Sequence, residues 1–156
     1  MTESKDTKPA AKAATAVPSK DELQKLRAEN LMAKAERATQ QADEEQQRQR
    51  ALIAELSTRQ VTEQRVQNAM RIIRELAAAG ETQVMVLRFP NELCTDGGRA
   101  INNSVPDWPK TLTGFPKEIY EKWQEVLRDK GYRLTATILD FPGGMPGDVG
   151  LFLSWD

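Results

Sequence analysis

Glycine and aromatic side chains occupy only one half of this 156-residue chain: all nine glycines and all nine aromatics lie at or beyond Gly80, and residues 1–79 have neither. A segment without bulky rings has little to fill a core with, and one without glycine has few permissive positions at which to reverse direction. The first half is therefore expected to supply a tail and a helix, and the second half a folded domain. Residues 80–156 are near the lower size limit for independent stability, because a domain of about that size buries only roughly 60% of the surface its unfolded chain exposes. It is expected to lean on the preceding helix or on a second subunit.

Twenty-two basic and twenty-three acidic residues give a formal charge of -1, divided as 14 basic against 12 acidic before Gly80 and 8 against 11 from there on. Neither half carries a field strong enough to attract nucleic acid or an anionic membrane by itself. The lone cysteine, Cys94, cannot form an intramolecular disulfide, which suits a reducing, cytoplasmic location. No signal peptide is expected, and no run of about 18 apolar residues suggests a membrane span. Histidine is absent, which removes the usual proton-transfer group near neutral pH and the commonest metal ligand. With no zinc, calcium or iron spacing either, neither a metal nor another cofactor is expected.

Residues 1–18 are rich in Lys, Ala, Thr and Pro, and ordering them would cost entropy with little burial in return, so a disordered tail is expected. Ser19 and Glu22 then form a capping-box pattern, and from Lys20 to Ala79 there is neither Pro nor Gly. One helix over 19–79, roughly 90 Å long at 1.5 Å per residue, is the expectation. Its competitor is a helical hairpin, for which the polar stretch Asp43–Arg50 offers no turn chemistry. Alternating steps of four and three select a seam that includes Leu31, Leu52, Leu56, Val66, Met70 and Ile73, with alanines between. That repeat of about 3.5 residues marks a candidate coiled coil, interrupted at Glu45 with Gln49 and at Arg59 with Glu63. Leu23 and Leu26 fall outside the register, so a stutter near Asn30 is required. Over 64–79 the stripe widens through Ala69, Ile72 and Leu76, as a helix packed on the carboxy-terminal domain would need.

Beyond Gly80, a helix-ending glycine, the pattern predicts a strand at Val84–Phe89, a helix at Pro116–Lys130 and strands at Leu134–Phe141 and Val149–Trp155. The fold class is thus α+β, a small αβαββ domain of 80–156 with a three-stranded sheet, preceded by the long helix. The last two strands are expected to pair antiparallel, and the first to pair parallel with the second through a right-handed crossover. One sheet face, with Leu134, Ala136, Ile138, Val149, Leu151, Leu153 and Trp155, is the expected core. The other, with Arg133, Thr135, Thr137, Phe152 and Ser154, is a candidate contact surface.

Asn91–Thr113 reads as a long loop with a concentrated polar set, and loops above about 12–15 residues are usually functional or disordered. Gly97 and Gly98 could present backbone N–H groups beside Arg99 to an anion, with Asp96 and Cys94 nearby and Asp148 reaching in from the Gly143–Asp148 turn. The plainer reading makes Asp96-Gly97-Gly98 a tight turn and Pro142–Asp148 a wide hairpin. Cys94 as a nucleophile lacks an imidazole base, which favours a buried structural thiol. Together these features point to a non-enzymatic interaction protein, a homo-oligomer through its long helix, that binds a protein partner through its carboxy-terminal domain. The alternatives are a small-molecule or anion-binding domain, catalytic or not, built on residues 92–103 and 143–148, and nucleic-acid binding through the Lys tail and the Arg-bearing helix. The balanced charge disfavours nucleic acid as a partner.

Overall fold

The structure, a computed structural model, describes residues 16–156, and the expected disordered tail lies outside them up to residue 15. The described residues divide into two units, the first ending at Gln46 and the second running over Gln47–Asp156. Helix α1 (Lys20–Thr58) begins in the first unit and ends in the second. Its start carries the reciprocal cap foreseen from sequence: the Glu22 amide donates to Ser19 Oγ at 3.1 Å, and the Ser19 amide donates to Glu22 Oε2 at 3.3 Å.

The single helix expected over 19–79 is interrupted. Four residues, Arg59–Thr62, separate α1 from α2 (Glu63–Ala78), which is capped by Thr62 in an extended conformation, its side chain accepting from the Arg65 amide at 3.2 Å. Local chemistry prepares the break. Ser57 Oγ donates back to Ile53 O and Thr58 Oγ1 to Ala54 O, a pattern that weakens and bends helices, and the β-branched Val61 and Thr62 follow. Tertiary packing fixes it. Leu56 is 1% exposed in the second unit's core, and a Cβ on Gly114 would stand 2.7 Å from Leu56 O.

After α2, Gly80 takes a left-handed conformation and the Glu81 amide donates to Leu76 O at 2.9 Å, ending the helix as expected. Strands β1 (Gln83–Phe89), β2 (Arg133–Ile138) and β3 (Val149–Ser154) form one sheet in the order β1-β3-β2, both neighbouring pairs antiparallel. The expected parallel pairing of β1 with β2 does not occur, because the last strand inserts between them. Charge distribution explains the choice: β1 contains Arg88 and β2 contains Arg133, tolerable at a solvated edge, whereas β3 has no charged residue. A bulge between Met85 and Leu87 lets Val84, Val86 and Leu87 all pack against the core.

Residues 91–113 are more ordered than the sequence suggests. They contain a 3-10 turn at Asn91–Leu93, the short helix α3 (Arg99–Asn102) and a 3-10 turn at Trp108–Thr111. Cys94 and Leu112 form an antiparallel bridge flanked by Thr95 N to Thr111 O and Thr113 N to Leu93 O. Buried Leu93, Cys94, Ile101 and Leu112 then join the sheet's Phe89, Val149, Leu151 and Leu153 in one cluster with Leu56 and Ile73. The helix expected to reach Lys130 is α-helical only over α4 (Gly114–Lys122). It widens to a π-turn at Trp123–Leu127, tightens to a 3-10 turn at Arg128–Lys130, and ends at left-handed Gly131. The Trp123 indole donates to Tyr132 O at 3.0 Å across this terminus.

Candidate functional site

The segments singled out as an anion site do approach one another. Asn91 Nδ2 donates to Gly97 O at 2.8 Å and to Pro146 O at 3.1 Å, tying the 91–103 segment to the β2–β3 connection. A polar depression of about 320 Å³ lies there, lined by Asp96, Gly97 and Arg99 together with Met145 and Pro146. The two glycine amides that would form an anion nest, however, are already engaged. The Gly97 amide donates to Cys94 O and the Gly98 amide to Asp96 Oδ1, while Asp96 Oδ2 accepts from Ala100 N at 2.8 Å. Asp96 acts as the local cap of α3, the plainer of the two sequence readings. Asp148 does not line the depression; it accepts from Arg88 Nε at 2.8 Å, which raises the Arg88 pKa through that hydrogen bond and charge, with Asp140 adding to it. Asp140 Oδ1 in turn accepts from the Asp148 amide at 2.6 Å.

Cys94 is buried, and burial pushes its thiol up from 9.0 to about 11; a hydrogen bond with Thr111 opposes the shift and the charge of Asp96 adds to it. A thiol so disposed is protonated and weakly nucleophilic near neutral pH. Among the described residues, no three His, Cys, Asp or Glu side chains gather where they could hold a metal ion, and no helix is long and apolar enough to cross a membrane.

The seam residues separate into two groups. Leu56 and Ile73 are buried in the core and Met70 packs against it, so these three serve the domain's interior. Leu31 and Leu52 are exposed, and Val66 is half-buried. On the open face of the sheet, Met85, Phe152 and Thr135 stand in cross-strand register, as do Gln83, Ser154 and Arg133.

Sequence reasoning missed a crevice of about 110 Å³ between α2 and the α4–π helix, over the sheet. Val66, Ala69, Met70 and Ile73 form one wall, Ile119, Trp123, Val126 and Leu127 the other, and Val86, Leu134 and Leu153 the floor. Both apolar stripes were visible as periodicity, but the gap between them depends on how two helices cross, which periodicity does not encode. Ala69 contributes only a methyl among larger neighbours. The charged lining residues are Arg65 and Lys122. The Arg65 guanidinium lies 5.7 Å from the Phe115 ring centroid, beside that of Arg59 at 5.2 Å; Arg59 is paired with Glu55. Comparison with known proteins gives no relative: no protein family, no curated protein and no solved structure matches this chain.

Proposed function

We propose that this chain is a non-enzymatic interaction protein that self-associates through α1 and engages a protein partner through the open face of its sheet. The observation that carries the reading is the exposure of Leu23, Leu26, Leu31 and Met32 on α1, at 52%, 58%, 55% and 64%. A helix of mostly polar residues gains little stability in water unless such side chains are covered. With Leu56, Met70 and Ile73 committed to the core, association would rest on the amino-terminal part of α1, through Leu23 with Leu26 and Leu31 with Ala35, Ala38 and Ala42. Burial of Cys94 and internal use of the Gly97 and Gly98 amides remove the exposed thiol and the glycine nest on which the ligand-binding alternative rested, which favours the interaction reading.

Sedimentation equilibrium on the full chain at micromolar concentration tests the proposal. A dimer or larger species is expected, reduced to monomer by Leu23→Gln with Leu26→Gln and Leu31→Gln, since Gln keeps the helix propensity while removing the apolar surface. A monomeric wild type with its helix intact would overturn it. For the second surface, Met85→Lys with Phe152→Lys is expected to abolish capture of a partner that the wild type retains, and undiminished capture would remove the sheet face from the proposal.

A further inference from the structure

The crevice over the sheet combines three properties that a packing gap alone does not require. Its walls and floor are almost wholly hydrocarbon, its capacity is small, and the charged residues that line it, Arg65 and Lys122, are both cations. Neither forms a salt bridge with a described residue, in contrast to Arg59, Arg71, Arg88 and Arg133. Arg65 is instead held against the Phe115 ring, which orients its guanidinium without neutralising it. A sealed apolar cavity of about 150 Å³ holds a benzene ring, so about 110 Å³ open at its mouth suits the end of a short alkyl chain whose remaining methylenes lie in the mouth.

We propose that this crevice binds a small amphipathic carboxylate, with its hydrocarbon end between α2 and the α4–π helix and its carboxylate at Arg65 and Lys122. The proposal is independent of self-association. The hydrocarbon supplies affinity through burial and the two cations supply the choice of head group. The π-turn Trp123–Leu127 supplies one wall, and such turns recur at functional sites. A long-chain lipid exceeds the available volume, and an ammonium head group would meet like charge.

Octanoate is the probe, with octylammonium and 1-octanol as controls, and the readout is methyl NMR shifts of Met70, Ile73, Leu127 and Leu153 in the full chain. Octanoate should produce saturable shifts confined to these methyls, tightening about fourfold per methylene from butanoate until the crevice is full. Octylammonium should produce none. Arg65→Gln with Lys122→Gln should weaken octanoate about tenfold and leave 1-octanol unchanged, as expected for two partly solvated ion pairs. Both side chains lie toward the surface, so folding should survive. Ala69→Phe, which fills the crevice, should abolish binding while cooperative thermal unfolding persists. Equal binding of octanoate and octylammonium would overturn the anion site and leave an unselective apolar patch. Absence of shifts with octanoate, together with a change in sedimentation on Ala69→Phe, would overturn it in favour of a second copy of the chain as occupant.

Discussion

Gly114 and Gly80 share a left-handed backbone but differ in their surroundings, and the difference separates strain from collision. At Gly80 a Cβ would meet nothing within 4 Å, so Gly80→Ala should cost only the left-handed penalty, about 1–2 kcal/mol. At Gly114 the added carbon would stand 2.7 Å from Leu56 O and 2.9 Å from Ser57 Cα, both backbone atoms that no rotamer change can move. Gly114→Ala should therefore lower stability at least about twice as much as Gly80→Ala, measured as urea midpoints, and equal losses would contradict the close approach of α1 to α4. Cys94 yields a prediction in pH. Its folded pKa is about 11 against 9.0 ordinarily, so the unfolded chain ionises first; the neutral thiol's contribution is complete below pH 9.0 and is lost as pH rises toward 11. Wild type should lose more stability than Cys94→Ala between about pH 8 and about pH 10.5, and parallel losses would show that this thiol does not sense burial.

Elements whose cause is local were legible before the structure. The Ser19–Glu22 cap, the stop at Gly80, the strands around Val84–Phe89 and Val149–Ser154, and the inward set Leu134, Ile138, Leu151 and Leu153 follow from cap chemistry, glycine and twofold alternation. Elements whose cause lies far away in sequence were not. The break at Arg59–Thr62 depends on Gly114 and Phe115, more than 50 residues later, and the parallel pairing expected of β1 fails because the centre of the sheet goes to the strand without charge. The candidate site divides in the same way: the Asp96 turn was readable, whereas the crevice needed the crossing of α2 with α4. Thr62 tests the local share of the break. If its hydroxyl cap starts α2, Thr62→Ala should cost about 1 kcal/mol in chemical denaturation with a normal m-value. A negligible cost would assign the break wholly to packing by Gly114 and Phe115.

The two units obtain their order from different sources. Gln47–Asp156 contains every buried apolar residue of the described chain, with Leu56 and Ile73 from the helices completing a core that the strands alone could not close. The helical part of the first unit buries none, and its interactions include its own ladder, the Ser19–Glu22 cap and the bond from Thr39 Oγ1 to Ala35 O. Its helix therefore rests on propensity, with the ladder continued from the end of α1 that Leu56 packs, or on association, and concentration distinguishes association from the rest. If association supplies the order, ellipticity at 222 nm should fall on dilution through the dissociation range, while urea unfolding of the core followed by tryptophan fluorescence keeps its midpoint. All three tryptophans lie beyond Gly80, so that signal reports the second unit. Leu23→Gln with Leu26→Gln and Leu31→Gln should hold the ellipticity at its dilute value at every concentration. Ellipticity that does not change on dilution, in a chain that sediments as a monomer, would mean that propensity suffices and that the exposed leucines of α1 cover nothing.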